Sequence, residues 1–202
     1  MITCDFHTHT SFSTDSAASP ESMAEAAIQR GLKTICFTDH IDLDYPFCEE
    51  LGENAFLLDV DAYFRKMQEL KEKYHGRLDV RIGIELGMQP HLGGAYRELT
   101  EKYPFDFVIG SVHLVRGTDP YYGKIFAEQS DADAYNETFL ETIQDLKGMD
   151  SFDVCGHIDY IVRYGKHRAA EYSYQRFSEP IDEILKTVIE KGRGIEIGRA
   201  HV

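Results

Sequence analysis

The chain has 202 residues, of which 43% are hydrophobic and 28% charged, so it is long enough for one compact domain with a full core. Its formal net charge of -14 and its lack of lysine and arginine clusters argue against binding to a nucleic-acid backbone, and a small substrate is expected instead. No run reaches the roughly 18 apolar residues that a membrane-spanning helix requires, and acidic Asp5 stands where a signal peptide would carry a basic stretch.

Short apolar runs alternate with stretches of helical periodicity along the chain. This alternation predicts an α/β fold, with a parallel sheet or barrel whose chemistry collects at the carboxyl ends of the strands. The predicted strands cover residues 2–6, 34–37, 80–84, 107–109, 152–155 and 194–197. The predicted helices cover residues 21–30, 62–74, 132–146 and 174–189, while residues 45–57 and 92–103 are interpreted as loop and short helix.

The four cysteines show no paired CxxC spacing, and three of them lie in predicted strands. We therefore expect reduced thiols in a cytoplasmic protein without a membrane partner. The residues concerned are Cys4, Cys36, Cys48 and Cys155.

Metal-binding side chains stand at or just after the ends of five predicted strands. A lone histidine in such a place is usually structural, and structural histidines would scatter over helices and loops, as His75, His91 and His167 do. Convergence on one edge of a sheet predicts a metal cluster instead. The set comprises His7 and His9 after the first strand, His40 after the second, Glu85 after the third, His113 after the fourth and His157 after the fifth.

The chemistry of these side chains suits divalent ions. His7 and His9 are two residues apart on an extended segment, so both rings point the same way and can hold one ion. Imidazole nitrogen and carboxylate oxygen suit zinc, manganese or iron, and Glu85 could bridge neighbouring ions. Asp15 is either a further ligand or a loop turn before the helix at Pro20, and spacing alone leaves both open. Asp39 and Asp159 either orient a ligand ring or are solvated loop residues.

Taken in order, five motifs resemble those of the PHP superfamily (polymerase and histidinol phosphatase), and most closely its histidinol-phosphatase branch. The resemblance extends from residue 2 to about residue 197 and implies a distorted (β/α)7 TIM-like barrel, of which about six βα units are present. The motifs are His7-Thr8-His9-Thr10, Thr38-Asp39-His40, Gly83-Ile84-Glu85, Gly110-Ser111-Val112-His113 and Gly156-His157-Ile158-Asp159.

The resemblance implies three divalent ions and hydrolysis of a phosphate monoester by metal-activated water. It assigns His7, His9 and Glu85 to one ion, Glu85, His113 and His157 to a second, and Asp15 and His40 to the third. Asp15 and Glu85 are thereby expected in catalysis. Cationic side chains near the site could hold the phosphate, with Arg163 the first candidate and Arg116 and Lys166 behind it.

The carboxyl-terminal end departs from the family pattern, because the Ser-Asp-Ala-His type motif of relatives is missing. We expect residues 1–197 to be a single PHP domain that is incomplete at its end, and Ala200-His201 not to replace the missing ligands. Residues 197–202, Ile-Gly-Arg-Ala-His-Val, match one reading frame of a common sequencing-library adapter and are expected to be a non-native tail. Weak activity or none is expected of the chain as it stands.

Three functions remain open on sequence grounds. The first is a histidinol-phosphate phosphatase of histidine biosynthesis. The second is a related phosphoesterase acting on nucleotides or another small phosphate, and the third is a metal-binding PHP module without catalysis.

Overall fold

The structure is a computed structural model that describes residues 2–52 and 54–197. Within these residues, no helix is both long enough and apolar enough to cross a bilayer. Apart from Ile197, the expected non-native tail lies outside the described residues, and so does His201. The strands are β1 (Cys4–Thr8), β2 (Thr34–Phe37), β3 (His40–Ile41), β4 (Asp79–Gly87), β5 (Phe107–Ser111), β6 (Val154–Cys155) and β7 (Gly194–Ile195). The α-helices are α1 (Pro20–Gln29), α2 (Val60–Lys73), α3 (Gly93–Lys102), α4 (Lys124–Glu128), α5 (Asp131–Gly148), α6 (Arg168–Glu171) and α7 (Ser178–Glu190).

Two compact units divide the chain. The first comprises Met1–Leu86 and Leu99–Ile109, and the second comprises Gly87–Glu98 and Gly110–Val202. The single-domain organisation expected for residues 1–197 stays a prediction.

The sheet of the first unit is built from parallel strands. β1 pairs with β2 and β2 with β4, and the short β3 pairs with β4 so that His40 lies opposite Glu85. The chain enters β5 beside β4, where the Asp106 amide donates to the Ile82 carbonyl at 2.6 Å. Because the strands are parallel, their carboxyl ends lie at one edge, where the side chains that follow each strand are brought together.

The helices of the first unit begin at capping residues and pack on the sheet. Ser19 accepts a hydrogen bond from the Ser22 amide before α1, and Asp59 accepts one from the Ala62 amide before α2. Tyr63 of α2 is fully buried, and its hydroxyl lies 2.9 Å from two carbonyl oxygens, of Phe37 in β2 and Gly83 in β4. One helix residue thus ties two neighbouring strands just before they reach the site.

The second unit continues the pattern with the end of β5, β6 and β7. The Gly156 amide, just after β6, donates to the Gly110 carbonyl at 2.9 Å, and β6 pairs in parallel with β7. Helix α5 packs against α7, and Phe139 and Leu146 on α5 are fully buried with Ile184 on α7.

The predicted alternation of strands and helices is confirmed, with differences at the boundaries. β1 and β4 extend two and three residues beyond the predicted ends, because backbone pairing with β2 and β3 continues where the apolar run has stopped. His7 and Glu85 therefore lie inside their strands, not after them as predicted. The two-residue β3 carries too little apolar pattern to be predicted. All four cysteines are free thiols, as expected.

Replacing Gly83 with alanine should destabilise the first unit by roughly 1 to 3 kcal/mol. A Cβ built on Gly83 would lie 2.7 Å from the Phe107 carbonyl oxygen and 2.8 Å from Cys36 Sγ, so the strands must separate. The control is Gly94→Ala in α3, where a Cβ meets nothing within 4 Å, and there we expect a gain of about 0.5 to 1 kcal/mol. Urea unfolding of both variants measures the difference, and equal midpoints would contradict the expectation.

Candidate metal centre

One carboxylate oxygen of Glu85 lies at the centre of a group of histidines in the first unit. Glu85 is completely buried, and its Oε2 atom lies 3.0 Å from the Nε2 atoms of both His7 and His9. The Nε2 atom of His40 is 3.5 Å from the same oxygen. Three imidazole nitrogens thus surround one buried carboxylate oxygen.

The local backbone explains this convergence. His7 is the fourth residue of β1 and His9 follows the strand by one residue, so alternation of side chains directs both rings to one face. Thr8 between them points the other way, where its hydroxyl donates to the Cys36 carbonyl of β2 at 2.8 Å. The expected common orientation of His7 and His9 is confirmed by their shared distance to Glu85.

Asp15 forms a second group with two of the same histidines. Its Oδ2 atom is 3.0 Å from His9 Nδ1 and 3.7 Å from His40 Nε2. Burial tends to raise the pKa of Asp15, but the hydrogen bond with His9 and the charge of His40 outweigh it and lower that pKa below its usual value. These distances bring Asp15 to two candidate ligands, and its assignment as a ligand, with a loop turn as the alternative, stays a prediction.

The surroundings of His9 indicate whether these residues fit a metal ion. Its Nε2 atom is buried and, within the described part of the chain, makes no hydrogen bond of acceptable geometry, although Glu85 Oε2 is 3.0 Å away. Two ligand atoms that face each other closely without a hydrogen bond are suited to sharing an ion. Burial lowers the pKa of His9, but Asp15 and Glu85 together raise it to about 10, which shows how strongly this pocket favours positive charge. Nitrogen and oxygen donors of this kind suit zinc and similar ions.

Asp39 organises the loop that carries the ligands. It is fully buried, and its Oδ1 atom accepts hydrogen bonds from the Thr10 amide at 2.6 Å and the Ser13 hydroxyl at 2.9 Å. The Ser13 hydroxyl in turn accepts from the His40 amide at 2.8 Å. Asp39 therefore fixes the backbone on either side of the ligands, and its predicted role in orienting a ligand ring stays a prediction. Sequence reasoning missed Thr10 and Ser13, although small hydroxyl residues beside the His-x-His motif are a usable signal.

Replacing Asp39 with asparagine should weaken metal binding by about tenfold, because the neutral amide accepts weaker hydrogen bonds from Thr10 and Ser13 and places an NH2 group where Oδ2 accepts from the Thr10 hydroxyl at 3.0 Å. A chelator competition assay measures the affinity, and the intact secondary structure is checked by circular dichroism. Asp61→Asn is the matched control, since this α2 carboxylate also accepts a hydroxyl hydrogen bond, from Tyr103 at 2.5 Å, far along the chain from the ligands. Equal metal affinity in the Asp39 and Asp61 variants would contradict the positioning role.

The second unit holds the remaining predicted residues. The rings of His113 and His157 lie 5.6 Å apart between centroids, and Tyr160 packs against both, at 5.8 and 5.2 Å. The guanidinium of Arg163 lies over the Tyr160 ring at 5.6 Å. The predicted second ion joins these histidines to Glu85 of the first unit, and that assignment stays a prediction.

The other candidate side chains of the second unit have different surroundings. Arg116 is engaged by Glu137 at 2.5 Å, which makes it a weaker candidate for holding phosphate, and Lys166 is exposed. Asp159 lies 3.5 Å from the Tyr172 hydroxyl, so its predicted role in orienting a ligand ring also stays a prediction.

Comparison with known proteins places this site in a family. A model of the PHP domain matches residues 5–200. The chain belongs to the PHP domain family. It is 34% identical over 193 residues to a probable histidinol-phosphatase from Clostridium acetobutylicum, covering 96% of this chain and 71% of that protein. It is 29% identical over 198 residues to a histidinol-phosphatase from Lactococcus lactis, and this match covers 98% of this chain and 71% of that protein.

A solved structure of a PHP relative has the same fold. The crystal structure of histidinol phosphate phosphatase from Lactococcus lactis, complexed with Zn, L-histidinol and phosphate, superposes with a TM-score of 0.87 at 28% identity. The match covers 96% of this chain and 72% of that chain. This likeness confirms the predicted α/β fold of the PHP type. That relative was solved with zinc, and this PHP chain has several side-chain groups able to hold a metal ion.

Proposed function

We propose that this chain is a metal-dependent histidinol-phosphate phosphatase, which hydrolyses L-histidinol phosphate to L-histidinol and phosphate in histidine biosynthesis. The observation that carries the proposal is the arrangement of His7, His9 and His40 around the buried Glu85 carboxylate. The PHP domain match, together with the similarity of nearly the whole chain to a histidinol-phosphatase and a probable histidinol-phosphatase, supports the same proposal.

The metal content is part of the same proposal. We infer three divalent ions of zinc, manganese or iron, as the family resemblance implies, and the zinc in the Lactococcus lactis complex supports a divalent metal. In the first unit, His7, His9 and Glu85 would hold one ion, and Asp15 with His40 would contribute to another. The four cysteines are free thiols, which supports a cytoplasmic location.

The residues of the chain have separable tasks in this reaction. Bound ions supply Lewis-acid chemistry, which lowers the pKa of water and neutralises charge on phosphate oxygens. With metal bound, the histidines would act as neutral ligands, so their rings would hold the ions and need not attack phosphorus. Glu85 and Asp15 place negative charge among them, and Arg163 would orient the phosphate through its planar guanidinium. Tyr160, whose ring contacts Arg163 and the two histidines of the second unit, would hold Arg163 in place.

The test is a phosphatase screen of the 202-residue chain with Zn²⁺ or Mn²⁺. We expect kcat/KM for L-histidinol phosphate to exceed that for adenosine monophosphate and β-glycerophosphate by at least about tenfold, because an enzyme specific for one alcohol discriminates by its leaving-group contacts. A preference for the nucleotide would instead support the alternative of a nucleotide phosphoesterase. Metal binding without turnover of any ester would support a non-catalytic PHP module. The same assay measures whether activity is weak, as the sequence leads us to expect.

A further inference from the structure

Asp42 is a buried carboxylate of the first unit that directly follows the short strand β3. It stands two residues after His40 on extended chain, so the two side chains point the same way, for the reason that groups His7 with His9. Only 2% of the surface of Asp42 is exposed, and an aspartate is rarely buried to this extent unless it is paired. We therefore looked for the group that Asp42 faces.

That group is the imidazole of His40. Asp42 Oδ1 lies 3.5 Å from His40 Nδ1. The other ring nitrogen of His40, Nε2, lies 3.5 Å from Glu85 Oε2 and 3.7 Å from Asp15 Oδ2. The ring thus turns one nitrogen toward Asp42 and the other toward the two carboxylates of the candidate metal centre. Asp42 therefore faces His40 from behind the nitrogen that would bind an ion.

Two neighbouring rings fix the plane of the His40 imidazole. His9 and Phe56 both contact it edge to face, at centroid distances of 4.4 and 5.2 Å. The backbone holds Phe56 in place, because the Asp42 amide donates to the Phe56 carbonyl at 2.9 Å. With the plane of the ring fixed, the groups facing its two nitrogens decide which nitrogen carries a proton.

A carboxylate in the position of Asp42 has a defined effect on a histidine ligand. When it accepts a hydrogen bond from one ring N–H group, it fixes the tautomer and makes the other nitrogen a stronger ligand for a metal ion. A separation of 3.5 Å is long for a hydrogen bond, and such contacts commonly shorten when a site binds its ligand. The arrangement around His40 fits this role, because the metal-facing nitrogen is the one that Asp42 does not contact.

We propose that Asp42 is a positioning residue of the metal centre. Its carboxylate accepts a hydrogen bond from the Nδ1–H group of His40 and so presents Nε2, without a proton, to the ion that His40 and Asp15 hold. The proposal rests on the metal-binding part of the proposed function. It adds a carboxylate that acts through His40 and contacts neither the ion nor the phosphate ester.

The experiment compares the Zn²⁺-loaded 202-residue chain with Asp42→Asn, which keeps the shape of the side chain and the backbone contact with Phe56. Competition with a chromophoric chelator measures the affinity for each Zn²⁺ ion. Proton–nitrogen NMR of the chain with ¹⁵N-labelled histidine measures the Nδ1–H signal of His40, which is assigned by its loss in His40→Gln. Circular dichroism checks that each variant is folded.

Asp42→Asn should weaken the binding of one Zn²⁺ ion by about 10- to 100-fold and leave the other ions within about twofold of the parent. The reason is that a neutral amide is a weaker acceptor than a carboxylate. In the parent, His40 should carry its proton on Nδ1. In the variant, the signal of this proton should move upfield and exchange faster with water, a change that loss of a merely structural contact would not produce.

The matched control is Asp131→Asn in the second unit. Asp131 is also buried, with 7% of its surface exposed, and its Oδ2 atom lies 3.6 Å from the Nδ1 atom of His167. Because His167 is not a candidate ligand, this variant should leave the Zn²⁺ affinities and the His40 signal unchanged.

The outcomes separate the positioning role from the proposed function, since neither measurement requires turnover. Unchanged Zn²⁺ affinity in Asp42→Asn, or weaker affinity with an unchanged His40 signal, would overturn the positioning role and leave the proposed function standing. A Zn²⁺-loaded parent without a proton on His40 Nδ1 would also overturn it, because that nitrogen or Asp42 would then bind an ion directly. A parent that binds no Zn²⁺ would overturn both.

Discussion

Replacing Glu85 with glutamine should lower kcat/KM for L-histidinol phosphate by at least about a thousandfold and remove bound metal. The Glu85 carboxylate is completely buried and lies within 3.5 Å of three histidine nitrogens. An amide keeps the shape but removes the negative charge, and a turned amide would direct an N–H group toward the same nitrogens. Metal content of the purified variant, measured by plasma mass spectrometry, and phosphate release test both effects.

The matched control for this change is Glu101→Gln, at an exposed position near the end of α3. It removes the same charge from the chain without touching the ligands, so activity and metal content should stay within about twofold of the parent. If Glu85→Gln retained full metal content and activity, the carboxylate would not be a ligand and the proposed metal site would be wrong.

Asp145→Asn should stabilise the protein at neutral and alkaline pH. Asp145 lies on α5 with 1% of its surface exposed, and neither carboxylate oxygen has a hydrogen-bond partner among the described residues. Burial, reinforced by the charge of Glu141 one turn earlier, raises the pKa of Asp145 to about 8. From β6, Cys155 also faces this carboxylate, and burial together with the Asp145 charge raises the pKa of its thiol to about 12. No cation is among the groups that shift either pKa.

The sign of the pH dependence follows from these values. An unfolded aspartate ionises near pH 3.8, whereas folded Asp145 holds its proton to about pH 8. Between these values the folded state binds one more proton than the unfolded state, so the free energy of unfolding falls as the pH rises. This fall is complete above about pH 8. Asparagine carries no such penalty, and we expect a gain of roughly 2 to 4 kcal/mol at pH 8 that disappears near pH 4.

Urea unfolding of parent and Asp145→Asn at several pH values measures this difference. Asp182→Asn, at an exposed position on α7, serves as the control and should change stability by less than about 0.5 kcal/mol at every pH. A constant difference between parent and Asp145→Asn from pH 4 to pH 8 would show that Asp145 is ionised in the folded state, contrary to its buried position.

The sequence predicted the site where the pattern was local and periodic. His7 and His9 share a face because they are two residues apart in extended chain, and that requires only strand geometry. Glu85 was placed beside them by its position at the end of a strand in a parallel sheet. Their distances to each other depend on the pairing of β1, β2 and β4, which the sequence implies without giving the register.

Other parts of the site depend on contacts between distant segments and could not be predicted. The role of Asp39 follows from hydrogen bonds to Thr10 and Ser13, 29 and 26 residues earlier in the chain. Residues 45–57 were interpreted only as loop and short helix, because left-handed residues such as Asn54 and Phe56 follow no period. Asp145 was counted as part of a helical pattern, and only its burial shows that it is unusual.

The most direct test of the central claim is phosphate release from L-histidinol phosphate before and after metal removal. We predict that dialysis against a chelator abolishes release by the 202-residue chain, that Zn²⁺ or Mn²⁺ restores it, and that Glu85→Gln cannot be restored by either ion. Release that survives chelation, or a metal-loaded chain that releases phosphate from other monoesters but leaves L-histidinol phosphate intact, would contradict the assignment of a metal-dependent histidinol-phosphate phosphatase.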